Sequence, residues 1–161
     1  MQNALDSLIT ALESGGVSAG LAFLNARVAH RYTAVIQLQS DVLRPLWFHD
    51  KRGQALPPGL QAVPFEDSFC QFALADAGFA TTDAMQETRL DGHKHQCAMT
   101  SYVGIPLIHN DGTLFGTLCH MDFASCDIPA DEFEFLKRVA RVLPKYISIE
   151  LQTNPSIGHL P

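Results

Sequence analysis

His93, His95 and Cys97 stand at alternate positions in the stretch DGHKHQC, residues 91–97. Imidazole nitrogen and thiolate sulfur are good zinc ligands, and zinc holds them at about 2.0–2.3 Å. In extended backbone, rising roughly 3.3 Å per residue, i, i+2 and i+4 share a face about 7 Å apart per step. Two of these side chains can converge on one ion. The third bends away unless the backbone curls, and a closed structural site needs a fourth ligand that the neighbourhood does not offer. No metal is expected, and the stretch reads as a solvated loop or as a lid over a pocket. Two imidazoles with an unperturbed pKa near 6.5 would make such a lid pH-sensitive.

The other reactive side chains are weighed in the same way. Cys70 follows Asp67 and Ser68, either of which can cap a helix, and a helix N-terminus makes a thiolate more available. The competing reading is packing. Cys119 and His120 are neighbours in a β-rich run, so their side chains point to opposite faces and cannot form a dyad. Cys119 is read as a small core filler, and His120 as a partly buried imidazole with its hydrogen bonds satisfied. The four cysteines, 70, 97, 119 and 126, form no C-x-x-C pair and are expected to be reduced thiols.

Gross composition limits the partners. The chain has 161 residues, enough for one domain with a sizeable core. Its formal net charge is −6 and it has no long basic run, which argues against a nucleic-acid footprint. No uninterrupted apolar run reaches the roughly 18 residues that suggest a membrane span. The N-terminus MQNALDSLITALES lacks the basic start of a secretory signal, so a cytoplasmic location is expected.

The elements that must position these residues follow from periodicity. Leu5, Leu8, Ile9 and Leu12 mark a helix ended by Gly15-Gly16, and a second, weakly amphipathic helical segment follows through Val28. From Tyr32 the period becomes two, with Tyr32, Ala34, Ile36 and Leu38 on one face and Val35 out of pattern. Ser40-Asp41 turns the chain into a strand over 43–49, where Pro45 suggests an edge. Residues 50–59 form a loop, 68–78 a short helix stopped by Gly78, 79–82 a short strand and 83–97 mostly loop. Two β-rich runs then flank Asn110-Asp111-Gly112, the signature of a hairpin. A final helix opens at Asp131 and carries two apolar stripes. One is Phe133, Leu136, Ala140, Leu143 and Ile147; the other is Phe135, Val139, Val142, Tyr146 and Ile149. One stripe packs on the sheet, and the other needs the first helix or a second subunit. Pro144 predicts a kink. Residues 1–151 form the domain and 152–161 a frayed tail. The order favours an α+β fold with an antiparallel sheet.

SYVGIPLIHNDGTLFGTLCHMD resembles the hairpin of a GAF domain, which runs aromatic-x-G-x-P-L, a polar Asp-Gly turn, then G-T-L-C and a terminal Asp. DSFCQFALADAGFATTDA and the N-terminal LESGGVSAGLAFLNARVAHRYTAVIQL are similar to small stand-alone GAF proteins of proteobacteria, over about residues 4 to 151. The resemblance implies a GAF/PAS-like antiparallel sheet of five or six strands. The terminal helices would cover one face, and pocket-forming loops the other. It also implies a non-catalytic sensory role, as a homodimer through the terminal helices, signalling through a separate output protein. GAF ligands range from cyclic nucleotides and bilins to haem and redox signals, so no cofactor is named. Trp47, Phe72, Tyr102 and Met121 are the expected apolar walls of the pocket. Cys70, Asp83 and His93 are the expected polar contacts, with His95 and Cys97 in the lid.

One enzymatic branch, free methionine-R-sulfoxide reductase, also has a Cys opening this helix and a G-H…C element before its hairpin. Residues 1–69 here contain no cysteine to resolve a sulfenic acid, and Ser101-Tyr102 stands where that branch has Ser-Glu. A thiol enzyme using Cys70 is therefore the alternative reading, and a dimerisation module without ligand is another. Bilin attachment at Cys97 is discounted because Ala98 follows it where relatives often have His. Haem through His49, His93 or His95 rests on single histidines.

Overall fold

Two strands rich in β-branched and aromatic residues meet at Ser40-Asp41, which take left-handed φ of 53° and 61°. A two-residue turn of this kind matches the twist of the flanking strands. The structure is a computed structural model and describes residues 2–56, 62–65, 70–75, 78–84 and 99–159. The turn joins β1 (Tyr32–Gln39) to β2 (Val42–Asp50), which pair antiparallel from Gln39↔Val42 to Tyr32↔Asp50. With β3 (Val63–Pro64), β4 (Phe79–Thr81), β5 (Ser101–Ile108) and β6 (Leu114–Asp122) they form one six-stranded sheet. Its order is β3-β2-β1-β6-β5-β4, and every pairing is antiparallel. β3 covers only Val42 and Leu43 of β2, so Pro45 lies where β2 has become the edge. The β5–β6 turn is wider than a two-residue hairpin. His109 N–H donates to the Thr113 carbonyl, Asp111 Oδ1 accepts from the Thr113 N–H, and Gly112 alone takes a positive φ.

Both faces of the sheet are buried. α1 (Gln2–Asn25) and α3 (Ala130–Thr153) cover one face, where Val35, Trp47, Val103, Ile105, Leu107 and Leu118 meet Leu8, Leu21, Leu24, Phe135, Leu136, Val139 and Leu143. Val35 breaks the alternation of β1 because this second face is also core. On the opposite face Tyr32, Ala34, Ile36, Leu43, Tyr102, Cys119 and Met121 pack with Cys70 and Ala73 of α2 (Cys70–Ala75). Gly78 stops α2 by donating its N–H to the Ala73 carbonyl. The expected caps Asp67 and Ser68 lie outside the described residues.

The two expected N-terminal helices run on as α1, broken only at Gly16, whose φ of 76° and ψ of −167° suit glycine alone. A Cβ there would also meet the Glu150 carboxylate of α3. Gly16→Ala is expected to lower stability by about 1–3 kcal/mol, read as a fall in the urea midpoint at unchanged m-value. By length and composition α1 also passes for a membrane span, which a search for unbroken apolar runs does not register. Its Leu8, Leu12, Val17, Leu21 and Leu24 are buried in the core instead.

The stripes of α3 merge into one seam of Phe135, Leu136, Val139, Ala140, Leu143 and Ile147, buried against the sheet and α1. Ile149 of the second stripe stays 49% exposed. The helix starts at Ala130 on a Pro129 cap, with Asp131 and Glu132 in its first turn, and it continues through the buried Pro144. Beyond it, residues 155–159 form a 3-10 turn that packs Ile157 against the core, where a frayed tail was expected.

Candidate functional site

Tyr102 organises the α2 side. It is opposite Met121 on β6, and Gly104 is opposite Cys119. The Tyr102 ring lies along the sheet over Gly104, where a Cβ would stand only 2.7 Å from ring carbon Cζ. This carries Oη to Cys70, and Tyr102 donates to Cys70 Sγ at 3.2 Å. Cys70 Sγ lies 3.3 Å from Thr117 Oγ1, two residues before Cys119 on the same face of β6. Two thiols, a phenol and a hydroxyl thus converge where α2 meets β5 and β6. An aromatic wall continues from them: Tyr102 lies 6.1 Å from Phe79, and Phe79 5.4 Å from Phe72, centroid to centroid.

Burial sets the protonation of this cluster. It pushes the Tyr102 phenol well above its ordinary range, with the Cys70 and Cys119 thiols adding to the effect. It pushes the Cys119 thiol up as well, reinforced by Cys70 and opposed by the Ala34 N–H. At neutral pH Tyr102 and Cys119 are therefore uncharged hydrogen-bonding groups rather than a general acid and a nucleophile.

Of the residues expected at the pocket, Cys70, Phe72, Tyr102 and Met121 are brought together here. Asp83 is half-buried just beyond β4. Trp47 is corrected: it is buried in the helix-side core, across the sheet from Cys70. The register of β1 and β2 slips between Val35 and Ile36, pairing Pro45 with Ile36 and Trp47 with Val35, so Leu46 is an extra residue. That bulge resets the alternation and turns Trp47 to the helices. His93, His95 and Cys97 lie outside the described residues, on a stretch that leaves from Ala84 and returns at Met99. Both of these end residues are buried in the α2-side cluster, and the Ala84 N–H donates to the Thr100 carbonyl.

Sequence reasoning passed over Thr117 as a polar contact and treated Cys119 as filler. Their shared face with Met121 was legible from alternation, but the reach of Tyr102 across Gly104 was not. His120 is corrected too: it is fully buried, and its Nε2 has no partner among the described residues. It lies across the sheet from Cys119. Cys119 and Cys126 are free thiols.

No protein-family model matches the sequence, and no curated protein does. Solved structures do match in fold. The GAF domain of an Acinetobacter phosphoenolpyruvate-protein phosphotransferase superposes with a TM-score of 0.73 at 10% identity, covering 99% of this chain and 97% of that one. Free methionine-R-sulfoxide reductase from Neisseria meningitidis, solved with its substrate, gives 0.72 at 16% identity, covering 94% and 90%. The chromophore-binding domain of a bacteriophytochrome from R. palustris gives 0.72 at 12% identity; this chain spans 61% of its length, and 94% of this chain is covered. The chain has the fold of a GAF domain. At these identities the likeness concerns architecture alone, and it is shared by a phosphotransferase domain, a reductase and a bacteriophytochrome domain.

Proposed function

We propose that the chain is a small-molecule-binding sensory module, non-catalytic, with its ligand on the α2 side of the sheet. The observation that carries this reading is the convergence of Tyr102 Oη, Cys70 Sγ and Thr117 Oγ1 within a wall of Phe72, Phe79 and Met121. A few polar groups set in apolar surroundings is the usual composition of a ligand site. In this reading His93, His95 and Cys97 close over the ligand, and Asp83 borders it. The test is native mass spectrometry of gently purified protein, joined to thermal-shift screening of metabolites and cyclic nucleotides. One compound is expected to raise Tm, and Phe72→Ala to weaken its binding at least ten-fold. A protein that retains no mass and is stabilised by no compound would sink the reading.

Cys70 at the first residue of α2 favours a second reading, a thiol-dependent reductase like the Neisseria enzyme. The expected result is no reduction of free methionine-R-sulfoxide with dithiothreitol as reductant. Turnover that disappears in Cys70→Ser would replace the sensory reading. In either case the protein is proposed to be cytoplasmic. As a sensor it acts as a homodimer through the exposed side of its terminal helices, around Ile149, and signals through a separate output protein. A monomer in sedimentation at tens of micromolar would remove the dimer.

A further inference from the structure

His30 and His120 are fully buried on the helix side of the sheet, and their rings stack with centroids 5.7 Å apart and planes at 26°. Among the described residues, both ring nitrogens of His30 and Nε2 of His120 are buried without a hydrogen-bond partner. The pair sits where the end of α1, the start of β1 and the end of β6 meet.

A chain of hydrogen bonds leads from Lys51 to His120. Lys51 Nζ donates to Asn25 Oδ1 at 2.9 Å, which orients that amide. Asn25 Nδ2 then donates to Thr33 Oγ1 at 2.8 Å and to the His30 carbonyl at 3.1 Å. Thr33 Oγ1 in turn lies within hydrogen-bond distance of His120 Nδ1, at 2.7 Å. The relay ties His120 through Thr33 and Asn25 to the Lys51 ammonium.

The two imidazoles are not equivalent. His120 is faced by His30 and Lys51, both of which oppose a positive charge on it. Burial opposes a charge on His30 as well, but Asp122 and Asp127 favour it against Lys51. Asp122 is already engaged: its Oδ2 accepts from the Arg31 N–H at 2.8 Å, and its Oδ1 from the Ala124 N–H at 2.8 Å. His30 is thus the better placed of the two to take a proton: among the described residues neither of its ring nitrogens has a partner, and Asp122 and Asp127 favour its charge.

We propose that His30 is an acid-triggered latch: its protonation drives the ring out of the stack towards Asp122 and Asp127 and loosens the joint between α1 and β1. Movement of residue 30 withdraws the carbonyl that Asn25 holds and disturbs the neighbouring Arg31–Asp122 bond. The backbone pairing of β5 with β6 around Val103, Ile105 and Leu118 is not broken by the release.

The test is amide hydrogen exchange of the full chain by NMR at pH 7.5 and pH 5.0, corrected for intrinsic rates. Amides of the joint (Ala26, Arg27, Val28, Arg31) are compared with those of Val103, Ile105 and Leu118. On acidification the joint is expected to lose at least ten-fold more protection than the strands. His30→Asn, which has no titrating ring, is expected to lose that excess. If joint and strands lose protection by the same factor, protonation acts only through global unfolding and the proposal is overturned. It is equally overturned if the joint keeps its protection or if His30→Asn retains the excess. Should His30→Asn fail to fold, the wild-type comparison decides, supported by His30 ring resonances that titrate at the same midpoint as the loss.

Discussion

Replacing Trp47 by alanine lowers the stability of the fold by about 3–5 kcal/mol, the range for a large aromatic removed from a packed core. Trp47 is 6% exposed and packs with Val35 and the helices. The loss reads as a fall in the urea midpoint at unchanged m-value. Because Trp47 is across the sheet from Cys70 and Tyr102, any ligand of the α2 side keeps its affinity for whatever fraction remains folded. Phe72→Ala does the reverse: it sits half-buried at the rim of the other cluster, and its effect falls on binding more than on folding. The two variants therefore separate the faces. A Trp47→Ala protein that is stable but has lost its ligand would return that residue to the pocket and refute the bulge as the cause of its placement.

The same bulge shows how much the sequence could disclose. Local patterns carried far: the alternation of Tyr32, Ala34, Ile36 and Leu38, the turn at Ser40-Asp41, and the runs on either side of Asn110-Asp111-Gly112 are all strands and turns in the structure. Each depends on neighbours a few residues apart. Trp47 failed because a single extra residue at Leu46 inverts every side chain beyond it, and no residue type announces that insertion. The aromatic cluster was half legible, since Tyr102 and Met121 fall on the right face, while the glycine that lets Tyr102 lie flat acts through absence of a side chain. His30 was missed altogether. Its partner His120 is 90 positions away, and the relay joining Lys51, Asn25, Thr33 and His120 exists only once three strands and a helix have met.

Acidification weakens the folded state before its carboxylates contribute. Burial holds His120 down to about 3, aided by His30 and Lys51, against an ordinary value of 6.5. Burial lowers His30 too, against the pull of Asp122. Between the folded and unfolded values the unfolded chain binds the extra proton, so stability is full above pH 6.5 and falls as pH drops below it. For His120 alone the loss at pH 5 is about 2 kcal/mol, and His30 adds in the same direction. For a domain of this size that is a fall in Tm of roughly 4–8 °C between pH 7.5 and pH 5. Asp50 acts lower. The Arg31 guanidinium, bound at 2.8 and 2.9 Å, and the N–H groups of Arg52 and Gln54 hold its carboxyl at about 2. Its contribution is intact above about pH 4 and is lost as pH falls towards 2. Scanning calorimetry across pH 7.5 to 5 separates the two, because the contribution of Asp50 does not change in that window. His120→Gln can still accept from Thr33; it is expected to melt lower than wild type at pH 7.5 yet lose less on acidification. An unchanged pH slope in that variant would show that the buried imidazole is not the source of the acid sensitivity.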